Sequence, residues 1–225
     1  MELKDKDLIS VQETRNLLIE AEKAQRELSR MDQTQIDRIV KAISDAGAAH
    51  AVPLAKAAQQ ETGFGRWQDK VIKNMFAARV VYDAVKNEKT VGILHEDRER
   101  KVWDIGTPVG VIAGIVPSTN PTSTVIYKAM IALKGGNAIV FSPHPGAKKC
   151  ILETVQVISK AACQAGCPKG AISRSVCQPW SNTSPDEKRQ NSPHPGNGRR
   201  RHGKIRLFLR NTRYRRGGRQ RPCIY

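Results

Sequence analysis

Two short loops carry the residues whose types could do chemistry. Pro117-Ser118-Thr119-Asn120-Pro121 follows the apolar run Val109 to Val116, and Ser142-Pro143-His144-Pro145 follows Asn137 to Phe141. In an open α/β sheet, ligands bind beyond the carboxyl ends of strands, so both loops lie where a site belongs. The carboxamide of Asn120 could donate a hydrogen bond to an oxygen gaining negative charge. By default, though, a Pro-flanked Asn between a strand and a helix is a turn or N-cap residue. His144, between two prolines, reads as an exposed loop residue rather than a catalytic one. Neither loop is a G-x-G-x-x-G turn, and the chain has no such motif, so ordinary dinucleotide phosphate recognition is not indicated. The chain has five cysteines, an odd number without framework spacing, which fits a reducing cytoplasm better than a disulfide scaffold. Cys163 and Cys167 are four residues apart but lack a second ligand pair, so no metal site is expected. With Cys150 they fall in a helical pattern and read as small apolar packing groups.

The elements that must position these loops follow from periodicity. Ser10-Val11-Gln12-Glu13 has the form of a capping box and opens a helix whose Val11, Leu18, Ala21 and Leu28 form one stripe. Asp32 to Gln35 repeats the signal before Ile36, Ile39, Val40 and Ile43. A third helix runs from about Val52 to Glu61 and stops at Thr62-Gly63. A fourth, from about Gln68 to Val85, carries Val71, Met75, Ala78, Val81 and Tyr82; all these stripes are expected to be core. Thr90 to Leu94 and Arg100 to Ile105 flank a charged turn and predict a hairpin. Val109 to Val116 and Asn137 to Ser142 are too short and too uniformly apolar for helices, and read as buried parallel strands. Helices over about Thr122 to Lys134 and Ala147 to Ala165 complete a βαβ unit.

Around Ser173 the character of the chain changes. Ala171-Ile172-Ser173 looks like the start of a further buried strand. From Arg174 to Tyr225 the apolar periodicity is lost, and fourteen Lys and Arg face only Asp186 and Glu187, a net of +12 out of the chain's +17. Too little apolar surface is present there to offset the entropy of ordering the backbone, so the tail is expected to be disordered. No run approaches the roughly 20 apolar residues of a membrane span. The charged N-terminus has no apolar signal core, which makes the cytoplasm the expected location.

The string Thr107-Pro108-Val109-Gly110-Val111-Ile112-Ala113-Gly114-Ile115-Val116-Pro117-Ser118-Thr119-Asn120-Pro121-Thr122-Ser123-Thr124 resembles the signature segment of CoA-acylating aldehyde dehydrogenases. So does Lys134-Gly135-Gly136-Asn137-Ala138-Ile139-Val140-Phe141-Ser142-Pro143-His144-Pro145. The likeness runs from about Glu13 to Ser173, includes Glu61-Thr62-Gly63, and covers about the first third of such a domain. It implies an α/β fold: N-terminal helices over 8–85, a β-hairpin over 89–105, and over 109–165 the first βαβ unit of a parallel-sheet NAD-binding domain. It also implies an oxidoreductase that, with NAD and CoA, converts a small aldehyde such as acetaldehyde to its acyl-CoA, reversibly. Asn120 matches the family's oxyanion-hole asparagine. Ile115, Val116 and Pro117 match the strand end along the nicotinamide side of NAD, and Ser142, Pro143 and His144 match the loop beside the adenosine ribose. Where hydrolytic relatives hold a Lys, Ser142 stands here, as is usual in the acylating branch. The resemblance further implies a homo-oligomeric intact parent.

The family's nucleophilic cysteine lies well beyond the equivalent of Ser173, and none of the five cysteines occupies its motif, so the chain alone is expected to be inactive. Back-translating Asn191 to Tyr225 with free synonymous codons and reading one base further on allows a string, ending in S-S-G-T-P-A-I-G-V-G-A-G-N-G-P-A-Y, that resembles the family's next segment. The tail over 174–225 therefore reads as a frameshift product, and the chain as truncated. Two other readings compete: a noncatalytic remnant that associates with full-length subunits through the hairpin, and a basic nucleic-acid-binding arm at Arg199 to His202 and Arg213 to Arg219. Specific nucleic-acid binding and membrane binding are not expected. Truncation at this point is expected to leave the Asn137–Ser142 strand with an unpaired edge.

Overall fold

The computed structural model describes residues 6–174 and 210–215. Four helical segments come first: α1 (Lys6–Leu28), α2 (Gln33–Ala49), α3 (Ala51–Thr62) and α4 (Trp67–Met75). After α4 the chain makes a π-helical turn, Phe76–Val80, and continues into α5 (Val81–Val85). Then come the hairpin strands β1 (Gly92–Asp97) and β2 (Val102–Thr107), followed by β3 (Val111–Val116), α6 (Pro121–Lys134) and β4 (Ala138–Pro143). A 3-10 turn at Pro145–Ala147 leads into α7 (Lys148–Gln164), then β5 (Ile172–Arg174), and Arg210–Arg215 forms β6.

Strands β3, β4 and β5 make one parallel sheet in that order. Helices α6 and α7 are the two crossovers and pack on its strands. Helix α1 lies against all three strands without comparable contact to α6 or α7, which places it on the other face. With both faces covered, β4 is buried along almost its whole length, and this is why its sequence is an unbroken apolar run. Helix α2 forms a further layer on α6 and α7, through Ile36, Ile39, Val40 and Ile43, all fully buried. Its first turn is fixed by the expected capping box: the Gln35 backbone N–H donates to Asp32 Oδ1 (2.8 Å), and the Asp32 N–H donates to Gln35 Oε1 (3.0 Å). Asn137 joins the starts of β3 and β4. Its Oδ1 accepts from the N–H groups of Val109 (2.6 Å) and Gly110 (3.0 Å), while its amide donates to the carbonyls of Ala132 and Gly135.

Several expectations need correction. Helix α1 already runs from Lys6, so Ser10 to Glu13 lies inside it and does not open it. Ala21 and Leu28 are buried, but Val11 and Leu18 are 47% and 44% exposed. The 23-residue helix, about 35 Å long, overshoots strands of six residues or fewer, about 20 Å, so only its second half reaches the sheet. The β4 edge is not left open, because Ile172–Arg174 pairs with Ile139–Phe141 as β5. The strand begun at Ala171 thus completes a three-stranded unit. Of the tail over 174–225, the described residues are Arg174, which ends β5, and Arg210–Arg215, which lies antiparallel to β2 from Thr107↔Arg210 to Val102↔Arg215. An open hairpin edge can recruit backbone without any apolar core. The rest of the tail lies outside the described residues. Among the described residues, no helix is long and apolar enough to cross a membrane.

Gly114, in β3, shows how tightly the sheet is filled. A Cβ there would come within 2.8 Å of the Phe141 ring, which is completely buried and cannot swing aside. Gly114→Ala should lower the unfolding free energy by about 1–3 kcal/mol, read as a lower denaturant midpoint with unchanged slope.

Candidate active site at the carboxyl edge of the parallel sheet

The two loops singled out in the sequence come together. Strands β3 and β4 run parallel with Ile115 opposite Ser142 and Val116 opposite Pro143, so Pro117 and His144 leave the sheet side by side. Val116 and Pro143 are buried and anchor the strand ends. Ile115 is 59% exposed, and Pro117 and His144 are also exposed; Ser142 is half-buried. His144 Nδ1 accepts the Gly146 N–H (3.1 Å) and so caps the turn ahead of α7, a structural use of the ring in keeping with a loop histidine. Lys128, from α6, donates to the Ile115 carbonyl (2.7 Å), and burial pushes its ammonium below the usual lysine range.

Asn120 heads α6, where an Asn side chain would ordinarily accept an N–H of the first turn. It does not. Its backbone carbonyl accepts both the N–H (3.3 Å) and the hydroxyl (2.6 Å) of Thr124, while its side-chain oxygen faces α4 and accepts from Lys73 Nζ (2.9 Å). The turn reading thus describes the backbone of Asn120 but not its carboxamide.

Helix α4 holds this loop through polar groups. Lys70, only 5% exposed, donates to the Thr119 carbonyl (2.9 Å). Asn74, wholly buried, donates to the Ala51 carbonyl (3.0 Å) and accepts the Thr122 hydroxyl (2.8 Å). Lys70, Lys73 and Asn74 lie at i, i+3 and i+4, one helix face. With Asn120 and Pro121 to Ser123 they line a small cleft. Burial, and then the neighbouring charge of Lys73, hold the Lys70 ammonium below its ordinary range. The expected core stripe of this helix is only partly realised. Ala78 is buried, but Met75 is exposed, as are Ile72 and Phe76 on the same side, because the helix turns its polar face inward to satisfy the loop. These polar residues were missed because the apolar stripe was followed; the 70, 73, 74 spacing was the available signal.

A second polar clasp fixes the start of α7. Both oxygens of Glu61, at the end of α3, accept helix N–H groups: Lys149 (2.8 Å) and Cys150 (2.7 Å). Burial works to raise the Glu61 pKa, but these backbone hydrogen bonds outweigh it and hold the carboxyl below its usual range. Cys150 and Cys167 are buried, and burial pushes each thiol up to about 12, in Cys150 with the Glu61 carboxylate adding to the effect. Neither is a thiolate at neutral pH, which agrees with a packing role. No metal-binding cluster occurs among the described residues.

Because the folded pKa of Glu61 is depressed, its contribution is complete above the ordinary carboxylate value of about 4.3 and fades as pH falls through the lower folded value. Glu61→Gln should therefore cost about 1–2 kcal/mol at neutral pH, and the gap between the two denaturation midpoints should narrow as pH falls below the ordinary carboxylate value.

A family model described as "Aldehyde dehydrogenase family" matches residues 6–181. The chain is 49% identical over 158 residues to the bifunctional aldehyde-alcohol dehydrogenase AdhE of Escherichia coli K12, covering 70% of this chain and 18% of that protein. Among solved structures, a probable aldehyde dehydrogenase from Listeria monocytogenes superposes with a TM-score of 0.77 at 61% identity, over 79% of this chain and 39% of that one. An acetylating aldehyde dehydrogenase from Geobacillus thermoglucosidasius gives the same TM-score and coverage at 53% identity. The chain thus spans less than a fifth of the E. coli relative and about two fifths of the two solved ones. With its family match extending over most of its length and its strand-end loops set as described, the chain belongs to the aldehyde dehydrogenase family.

Proposed function

We propose that this chain is the amino-terminal part of a CoA-acylating aldehyde dehydrogenase, whose intact form converts a small aldehyde, CoA and NAD to acyl-CoA and NADH, reversibly. The observation that carries the reading is Asn120. It sits just past the carboxyl end of a parallel strand, with its carboxamide oxygen accepting from Lys73 Nζ and not from an N–H of α6.

The reaction needs a cysteine thiolate, supplied from outside the matched segment, to add to the aldehyde carbon. As the C–S bond forms, the carbonyl oxygen takes up negative charge. The Asn120 amide donates to that oxygen, and a preorganised donor of this kind lowers a barrier by about 3 kcal/mol. Loss of hydride leaves a thioester, and transfer of the acyl group to the CoA thiol regenerates the cysteine. NAD, when bound, supplies the hydride acceptor. The residues present suit it: exposed Ile115 beside Pro117 offers an apolar surface to a nicotinamide ring, and Ser142 offers a hydroxyl near a ribose. Neither loop contains an acidic side chain that would repel phosphate.

The family's nucleophile is not among the chain's own cysteines on this reading. Cys150 and Cys167 are buried and Cys163 half-buried on or just after α7, and Cys177 and Cys223 lie in the arginine-rich tail. The tail is proposed to be an out-of-phase translation of the family's next segment. Its support is the sequence recovered by a one-base shift, and its charge is then a by-product of reading glycine and alanine codons out of frame. Purified 225-residue chain should give no CoA-dependent NADH formation from acetaldehyde. The product of a gene with one base inserted or removed after the Ser173 codon should give it. Activity in the unaltered chain, or none in the restored one, would overturn the proposal.

A further inference from the structure

An Asn carboxamide can rotate or flip, and only one of its ends can donate to an oxyanion. What fixes Asn120 is therefore as consequential as its presence. The usual partner at a helix start, an N–H of the first turn, would draw Oδ1 over α6. That interaction is absent, and the N–H and hydroxyl of Thr124 both go to the Asn120 backbone carbonyl. The partner of Oδ1 is Lys73 Nζ at 2.9 Å. An ammonium has three donors and no acceptor, so only the oxygen of the carboxamide can face it.

Lys73 is itself aimed by its helix. Lys70, one turn earlier, and Asn74, the next residue, are bonded to the same loop and the helix turn after it: Lys70 to the Thr119 carbonyl, and Asn74 to the Thr122 hydroxyl. Residues 119, 120 and 122 are thus each bonded to this one helix face, and the contact to Asn120 is the one that reaches a side chain able to touch substrate. The positive charge also draws electron density toward Oδ1, which makes the amide N–H groups stronger donors.

We propose that Lys73 is a positioning residue for Asn120: it selects the amide orientation in which N–H groups face the reacting oxygen, and it polarises them. This deepens the acylating-dehydrogenase reading and rests on it for the role of Asn120, though not for the contact itself.

The contact is tested by NMR on the 15N-labelled full chain, following the side-chain amide of Asn120. Lys73→Met should move the Asn120 15N resonance and speed exchange of its two protons. Lys73→Arg, which keeps a cationic donor, should leave both near their original values, as should the control Ile72→Ala at the neighbouring exposed position. An Asn120 signal indifferent to Lys73→Met would overturn the proposal. In the frame-restored enzyme, Lys73→Met should lower kcat roughly tenfold with KM for aldehyde within about twofold. That loss is smaller than the ~10²–10³-fold expected for removing the donor itself with Asn120→Ala, and Lys73→Arg should recover most of it. A change confined to KM, or no recovery with arginine, would also overturn it. A restored enzyme that is inactive with Lys73 in place would count against the dehydrogenase reading, and the Asn120 resonance would still decide whether Lys73 holds the amide.

Discussion

The inward-facing polar side of α4 is the interaction on which the rest of the site depends. Burying Lys70 and Asn74 would cost several kcal/mol if they were left unpartnered. Their groups are instead spent on the loop between β3 and α6 and on the start of α3. Such a contact works in both directions: the helix cannot turn its apolar stripe inward without stranding the loop, and the loop cannot relax without stranding the helix. This is why Ile72, Met75 and Phe76 stay exposed while a lysine and an asparagine are buried.

The second constraint is the sheet. Parallel pairing of β3 and β4 sets Ile115 beside Ser142, so both candidate binding loops emerge at one edge. Strand β5 then pairs with β4, and Glu61 clamps the start of α7 that leads to it. Two crossovers, one clamp and one buried strand together hold the loops on rigid supports, which is what precise placement of a donor requires. Substrate chemistry would then act at the edge of a scaffold whose own groups are already satisfied.

Much of this was legible in the residues. Strand β4 announced itself as a short apolar run because both its faces are covered, whereas the run holding β3, read from Val109 to Val116 as equally buried, leaves Val109 and Ile115 exposed. Asp32 and Gln35 announced a cap because their geometry is local. The loops after β3 and β4 could be picked out because in a parallel sheet position alone marks them. What could not be read was long-range. Lys70, Lys73 and Asn74 lie off the apolar stripe of their helix, and their partners are 47 to 49 residues away; with those bonds Lys70 and Asn74 are interior, while Lys73 stays exposed. Ser10 to Glu13 had the right local chemistry for a cap, but the helix had already begun. The pairing of β6 with β2 joins segments about a hundred residues apart, and nothing in the arginine-rich composition pointed to it.

The central claim, that α4 holds the Asn120 loop through buried polar contacts, can be tested by native-state hydrogen exchange on the chain and its Asn74→Leu variant. Leucine keeps the volume but removes both the bond to the Ala51 carbonyl and the acceptor for Thr122. The account predicts faster exchange at the Thr124 N–H and the first turn of α6, with protection of β4 and α7 unchanged. Equal protection at Thr124 in both proteins would contradict it.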